Sequence, residues 1–151
     1  VELLMKLLVL TAICCACSTD AVAKPLPPLN LPKTFQGDWI DIANNKQRAR
    51  ACRDIRADSY FDVGTHYLLT FTPNSVEHRY GDVYLEDIAL QLSHKDAQYL
   101  QGKANQTYQE NGADREFPVK QGLAFEWRLQ ADGSLRAPHL RGKTFYRCPT
   151  A

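Results

Sequence analysis

The sequence predicts an all-β domain, and two observations carry that prediction. After Thr34, apolar and polar residues alternate with a period of two through most of the chain, as they do in strands with one buried face. Turn signals interrupt this alternation at short intervals, at Gly64, Gly81, Gly102, Asn111-Gly112, Gly122 and Gly133. Short strands joined by tight turns at this spacing are typical of antiparallel sandwiches and barrels.

The chain opens on a pattern typical of a secretory signal peptide. Lys6 precedes an apolar run over residues 7–16, and the small-residue cleavage pattern Ala21-Val22-Ala23 follows. We therefore expect residues 1–23 to be a signal peptide that starts at Met5 and directs export to the periplasm or the medium. An alternative is a bacterial lipoprotein signal, in which Cys17 is acylated and anchors the protein to a membrane.

Residues 24–33 form a proline-rich lead-in to the folded domain. Residues 24–32, KPLPPLNLP, contain four prolines. Proline fixes its own φ and biases the preceding residue toward extended backbone, so this stretch is expected to be a stiff spacer. A single domain over residues 34–149 should follow it, which is an ordinary size for one domain.

Two stretches of this domain show a helical pattern instead of a strand pattern. In residues 44–57, Ala49, Cys52 and Ile55 recur at helical spacing, and Asn44 or Asn45 can cap the first turn. Residues 93–100 are a second helical candidate. The fold class therefore leaves room for one short helix in an otherwise all-β domain.

The strand predictions follow the alternation along the chain. The clearest strand is at residues 123–129, where Leu123, Phe125 and Trp127 alternate with polar residues before the hairpin turn Ala131-Asp132-Gly133-Ser134. Leu135 begins the return strand. The remaining predicted strands cover residues 67–71, 76–80, 84–92 and 143–148.

The cysteines divide between the leader and the domain. Cys14, Cys15 and Cys17 lie in the apolar leader, which leaves Cys52 and Cys148 in the mature chain. Two cysteines in an oxidising compartment are expected to form one disulfide.

The overall charge of +1 gives no general attraction to nucleic acid or to an anionic membrane. No second apolar run has the roughly 20 residues that a transmembrane helix needs. The one local excess is a basic run that is a candidate patch for an anionic partner, with a solvated face as the alternative: Lys46, Arg48, Arg50, Arg53 and Arg56.

Gly37-Asp38-Trp39 resembles the G-x-W opening of lipocalins and the wider calycin barrels. The resemblance implies a small antiparallel barrel in which Trp39 plugs the closed end. It also implies that a basic residue near the last strand, Arg147 or Arg141, packs across the Trp39 ring. In size the domain is similar to the small periplasmic barrels that bacteria use as enzyme inhibitors.

No catalytic, nucleotide-binding or redox motif occurs in the mature sequence, so no enzymatic residue is proposed. The four histidines lack the close spacing of structural zinc ligands, and no metal or other cofactor is expected. Four aromatic residues on predicted strands are candidates to line a ligand cavity, with core filling as the alternative: Phe71, Tyr84, Phe125 and Trp127.

These observations predict an exported, monomeric, non-enzymatic binding protein of the bacterial cell envelope. One candidate for its partner is a small hydrophobic molecule held in the barrel, and another is a protein of the envelope. The alternatives are a periplasmic inhibitor that binds a protease or lysozyme-like enzyme through its rim loops, or a lipoprotein accessory. Nucleic acid is not an expected partner.

Overall fold

A computed structural model describes residues 29–57, 65–81, 83–110 and 117–150 of the chain. The expected signal peptide lies outside these residues, as does the first half of the lead-in, residues 24–28. Within them the secondary structure comprises β1 (Gly37–Ile40), α1 (Asn45–Ala57), β2 (Tyr67–Phe71), β3 (Val76–Tyr80), β4 (Val83–Lys95), β5 (Tyr99–Glu110), β6 (Phe117–Leu129), β7 (Leu135–Ala137), a 3-10 segment (Pro138–Leu140) and β8 (Lys143–Arg147).

The strands form a closed antiparallel barrel in chain order. Each strand pairs with the next, and β1 also pairs with β8, where Trp39 lies opposite Arg147. Closure leaves no free first or last strand in the sheet. The prediction of a small all-β barrel with one short helix is confirmed.

The barrel interior is packed with aromatic and aliphatic side chains over much of its length. Trp127 is 1% exposed, and its ring lies 5.1 Å from that of Phe71 and 6.4 Å from that of Phe145, measured between centroids. Phe35 and Trp39 complete this core toward one end. Close packing of large apolar groups is the main source of stability here, since it removes their surface from water.

Helix α1 lies on the outside of the barrel. The Asn44 side chain caps it, because its Oδ1 accepts hydrogen bonds from the backbone N–H groups of Lys46 at 3.0 Å and Gln47 at 3.1 Å. The helix buries Cys52 in a second apolar cluster with Ile40 and Leu68. These residues point outward from β1 and β2, so the helix covers an apolar part of the outer wall.

The disulfide between Cys52 and Cys148 is confirmed, with the two Cα atoms 5.7 Å apart. It joins the middle of α1 to the residue that follows β8. It therefore fixes the helix to the outer wall of the barrel, beside the pairing of β1 with β8.

The second helical prediction, over residues 93–100, is wrong. Strand β4 continues to Lys95, and β5 begins at Tyr99 after a tight turn. Asp96 holds this turn, because its Oδ1 accepts hydrogen bonds from the N–H groups of Gln98 and Tyr99, both at 2.7 Å. An aspartate that bonds the backbone two and three residues ahead favours a turn over a continuing helix.

The end of the proline-rich lead-in belongs to the fold. Leu31 is 2% exposed and packs in the main core, and its N–H donates to the carbonyl of Pro73 at 2.7 Å. The expectation of a plain spacer therefore does not hold for these last residues, because they cover an end of the barrel.

Candidate functional site

The end of the barrel near Trp39 is sealed. The Arg147 guanidinium lies 4.3 Å above the centre of the Trp39 ring, so Arg147, and not Arg141, takes the position expected from the resemblance. Arg147 also donates to the carbonyls of Gln36, at 2.7 Å, and Thr34. The Trp39 indole N–H donates to the Phe35 carbonyl at 2.7 Å. The indole N–H of Trp39 and the guanidinium of Arg147 are therefore hydrogen-bonded within the plug.

Gly37 fits this plug for a conformational reason. Its φ is +109°, which other residues rarely adopt, and a Cβ there would lie 3.5 Å from Nη1 of Arg147. The glycine of the G-x-W sequence thus lets β1 begin directly beneath the arginine.

The opposite end of the barrel interior contains a cluster of polar side chains, which we call the polar cluster: Tyr67, His78, Asp87 and Gln106. They come from four consecutive strands, β2 to β5. The pairing of Val76 with Asp87 and of Asp87 with Gln106 brings the inward-facing positions of β3, β4 and β5 side by side. His78 is 2% exposed and Asp87 is 4% exposed, so both are removed from bulk water.

Hydrogen bonds run through the polar cluster in one continuous chain. The Tyr67 hydroxyl oxygen lies 2.9 Å from Nδ1 of His78, and Nε2 of His78 lies 2.8 Å from Oδ2 of Asp87. The Gln106 amide donates to Oδ1 of Asp87 at 2.7 Å. Each member is therefore oriented by its neighbour, as buried polar groups must be if they are not to cost several kcal/mol.

The hydroxyl of Tyr67 stays protonated in this environment. Burial, and secondly the negative charge of Asp87, raise the pKa of Tyr67 well above its ordinary value. The hydroxyl therefore remains a hydrogen-bond donor at every ordinary pH.

A cavity of about 200 Å³ opens directly beside the polar cluster. Its polar wall is formed by three members of that cluster, and its other walls are mainly apolar. The lining residues are His78, Asp87, Gln106, Leu123, Ala124, Phe125, His139 and Leu140. Leu123 is one of the few large apolar side chains that are exposed within the described residues, and it stands at the rim of this cavity.

The 3-10 segment forms one side of the cavity. Strands β6 and β7 pair only at Arg128 with Arg136 and at Leu129 with Leu135, so most of β6 has no β7 partner. His139 covers part of this edge, since its Nδ1 lies 2.9 Å from the Glu126 carbonyl oxygen.

His139 also connects the segment to the core and to a second cavity. Its ring meets Trp127 edge-on with the centroids 4.5 Å apart, and burial lowers its pKa. With Leu140 it separates the first cavity from a second one of about 510 Å³, whose walls include Tyr67, Tyr80 and Lys143.

The four aromatic residues singled out in the sequence lie in different places. Phe71 and Trp127 are packed in the core, and Phe125 is the one that lines the 200 Å³ cavity. Tyr84 lies on the outer face, with the Arg79 guanidinium 5.8 Å from its ring centre. Burial, followed by the charges of nearby Glu77 and Glu86, raises the pKa of Tyr84 to about 12.

Sequence reasoning did not find the polar cluster. One signal was present, because His78 stands between Val76 and Tyr80 at an inward position of a predicted strand. A histidine at a core-facing position needs a buried partner. That partner, Asp87, is identified only by the register between β3 and β4.

The basic run on α1 is divided between structural and free side chains. Arg48 lies over the Tyr146 ring at 5.3 Å, and Arg56 donates to the Pro149 carbonyl at 2.8 Å, so both hold the helix to the barrel. Arg50 lies 3.9 Å from Asp54 in an exposed pair. Within the described part of the chain, Lys46 and Arg53 remain exposed with no ion pair. The candidate patch for an anionic partner therefore retains few free cations.

No helix among the described residues is long and apolar enough to cross a membrane. Across the same residues, no three histidine, cysteine, aspartate or glutamate side chains gather in a way that could hold a metal ion. The chain matched no protein-family model, no curated protein and no solved structure in the comparisons.

Proposed function

We propose that this protein is an exported, non-enzymatic binding protein that holds a small ligand in the 200 Å³ cavity beside the polar cluster. We use the name open end for the part of the described barrel that holds the polar cluster and this cavity. The observation that carries the proposal is the position of the polar cluster, which forms one wall of a cavity whose other walls include Leu123, Phe125 and Leu140. Apolar walls that surround a few oriented polar groups are the usual composition of small-molecule sites.

The energetics of the polar cluster favour a role in binding. Replacing a buried ionic or polar set by apolar residues of similar size often leaves stability unchanged or raises it. Packing alone therefore gives little reason to place His78 and Asp87 inside the barrel. A ligand that needs their hydrogen bonds gives such a reason.

The cavity size limits the ligand. An engineered protein cavity of roughly 150 Å³ takes up benzene, so the present one suits a single ring or a short branched chain with one polar group. A long hydrophobic ligand would need space that the side chains of Phe71 and Trp127 fill. The ligand we propose is therefore smaller and more polar than the hydrophobic molecule expected from the sequence.

Export is proposed on the leader sequence and supported by the disulfide, because structural disulfides persist mainly in oxidising compartments. Intact-mass analysis of the exported protein should give an N-terminus at Lys24. A diacylglyceryl mass on Cys17 would instead support the lipoprotein alternative.

The inhibitor alternative depends on rim loops, and residues 58–64 and 111–116, which would form two of them, lie outside the described residues. The proposal made here depends only on the described cavity.

Binding can be tested by calorimetry with single-ring compounds and a variant that fills the cavity. Leu123→Trp places a larger side chain at the rim and should abolish binding while the fold remains intact. Arg128→Trp is the matched control, since Arg128 is exposed on the same strand, lies opposite Tyr99 and does not line the cavity. Equal binding by Leu123→Trp and the native protein, or no binding of any such compound, would contradict the proposed function.

A further inference from the structure

We infer that the ligand of this cavity carries a primary ammonium group on a small apolar body. The inference rests on the proposed function and adds the chemical class of the ligand. It follows from the lack of a lysine or arginine partner for Asp87 among the described residues, from the acceptor positions that those residues leave on its carboxylate, and from the other side chains that line the cavity.

Asp87 is the acidic member of the polar cluster. It is 4% exposed, and its hydrogen-bond partners within the described residues are His78 and Gln106. No lysine or arginine side chain in that part of the chain forms an ion pair with it. The titratable bases near it among those residues are His78, in direct contact, and His139, whose pKa burial lowers and Asp87 raises to a smaller extent.

Both ring nitrogens of His78 already have partners. Nδ1 lies 2.9 Å from the Tyr67 hydroxyl oxygen, and Nε2 lies 2.8 Å from Oδ2 of Asp87. Within the polar cluster, a ligand in the cavity therefore finds its free acceptor positions on Asp87 and not on His78.

Asp87 can accept more hydrogen bonds than the described residues donate to it. A carboxylate offers about four acceptor positions, and from those residues each oxygen of Asp87 receives one donor. The remaining positions match an ammonium group, which brings three N–H donors and a positive charge. A buried carboxylate without a cationic partner is costly, so an ammonium ligand recovers a penalty that a neutral ligand leaves in place.

The rest of the cavity suits the rest of such a ligand. Phe125 offers an aromatic ring, which attracts cations through its face, and Leu123 and Leu140 offer aliphatic contact. An anionic ligand would meet the Asp87 charge directly and should be excluded.

The native protein alone can test the class of ligand with three probes of nearly equal shape. Benzylamine, benzyl alcohol and benzoate differ mainly in charge, and each can be titrated by calorimetry at neutral pH. We expect benzylamine to bind about tenfold or more tightly than benzyl alcohol, as a charged hydrogen bond would give. Benzoate should show no binding.

Two variants connect this preference to one carboxylate. Asp87→Asn keeps the shape of the side chain and should remove the preference for benzylamine while benzyl alcohol still binds. Glu86→Gln is the matched control, because it removes a negative charge from the adjacent residue, which does not line the cavity, and should keep the preference.

The outcomes separate the two proposals. If benzyl alcohol binds as tightly as benzylamine in the native protein, the cavity binds ligands but the ammonium inference is wrong. The ammonium inference is also wrong if Asp87→Asn folds and still prefers benzylamine to benzyl alcohol. If neither compound binds, the proposed function fails and the inference fails with it. The native series decides the question even if Asp87→Asn does not fold.

Discussion

The two ends of this barrel bury polar groups in opposite ways. At the closed end, Arg147 and Trp39 direct their N–H groups to backbone carbonyls and stack on each other, so the polar atoms complete a plug. At the open end, His78 and Asp87 bond to each other beside the 200 Å³ cavity. The first arrangement uses polar groups to close the fold, whereas the second keeps them next to space that a ligand can enter.

This difference separates stability from function within one small core. The plug gains from burial of a large aromatic ring with its hydrogen bond satisfied. The polar cluster gains little from burial, because desolvation of a charge offsets the hydrogen bonds it makes. Changes at the closed end should therefore alter stability and leave binding intact, and changes at the open end should do the reverse.

The largest effect is expected from Trp39→Ala. Emptying a buried aromatic site costs about 3–5 kcal/mol of the free energy of unfolding, and Trp39 is 0% exposed. Urea denaturation measures the loss, and Trp39→Phe, which keeps a ring beneath Arg147, should lose less. Benzyl alcohol should still bind to the folded fraction. A nearly unchanged unfolding midpoint for Trp39→Ala would contradict the role of the plug.

A loss of similar size is expected when the disulfide is removed. The cysteines are 96 residues apart, and in the chain-entropy account a loop of this length is worth roughly 4–5 kcal/mol. The double variant Cys52→Ser/Cys148→Ser should show this loss on denaturation. Because the bridge lies on the outer wall, ligand affinity should not change. Two titratable thiols in freshly isolated native protein would show that the bridge does not form.

A smaller effect, specific to the open end, should appear at alkaline pH. The pKa of Tyr67 is raised in the folded protein, so the unfolded chain loses that proton first, near pH 10. The free energy of unfolding should therefore fall as pH rises above about 10, and Tyr67→Phe should make this decline shallower. Denaturation series across that pH range measure the slope.

A neighbouring substitution provides the control for this pH effect. Phe145 lies 5.6 Å from the Tyr67 ring, and Phe145→Leu removes packing without removing an ionisable group. It should lower stability at every pH and keep the native slope. An identical slope in Tyr67→Phe and the native protein would show that Tyr67 does not remain protonated in the fold.

The fold could be predicted from the sequence where the local pattern and the tertiary environment agree. Helix α1 has an asparagine cap and apolar residues at helical spacing, and its predicted end coincides with the observed end at Ala57. Strands β2 and β3 have large apolar residues at inward positions, and the predicted bounds are those observed.

Strand β5 shows where this agreement fails. Three of its inward positions are Gly102, Ala104 and Gln106, so the alternation of large apolar residues is missing. The tertiary structure explains Gly102, because a Cβ there would collide with the carbonyl oxygen of Gln91 on β4. A strand that must lie this close to its neighbour cannot carry the large inward side chains from which a strand is predicted.

The closed end and the open end also differ in how much of each could be predicted from the sequence. The packing of Arg147 on Trp39 could be predicted from the G-x-W pattern together with the expected last strand. The polar cluster depends on the register across β3, β4 and β5, and β4 contains irregularities between Ile88 and Gln91. A shift of one residue would turn Asp87 to the outer face, and no local pattern fixes that register.

The central claim is that the polar cluster is kept for binding and not for folding. The most direct test replaces the whole cluster in the variant Tyr67→Phe/His78→Phe/Asp87→Leu/Gln106→Leu and measures both urea unfolding and benzylamine binding. The account predicts a free energy of unfolding within about 1 kcal/mol of the native value, or above it, because no buried polar group is left unpaired. It also predicts that binding is lost. A stability loss of several kcal/mol, or benzylamine affinity equal to that of the native protein, would contradict the claim.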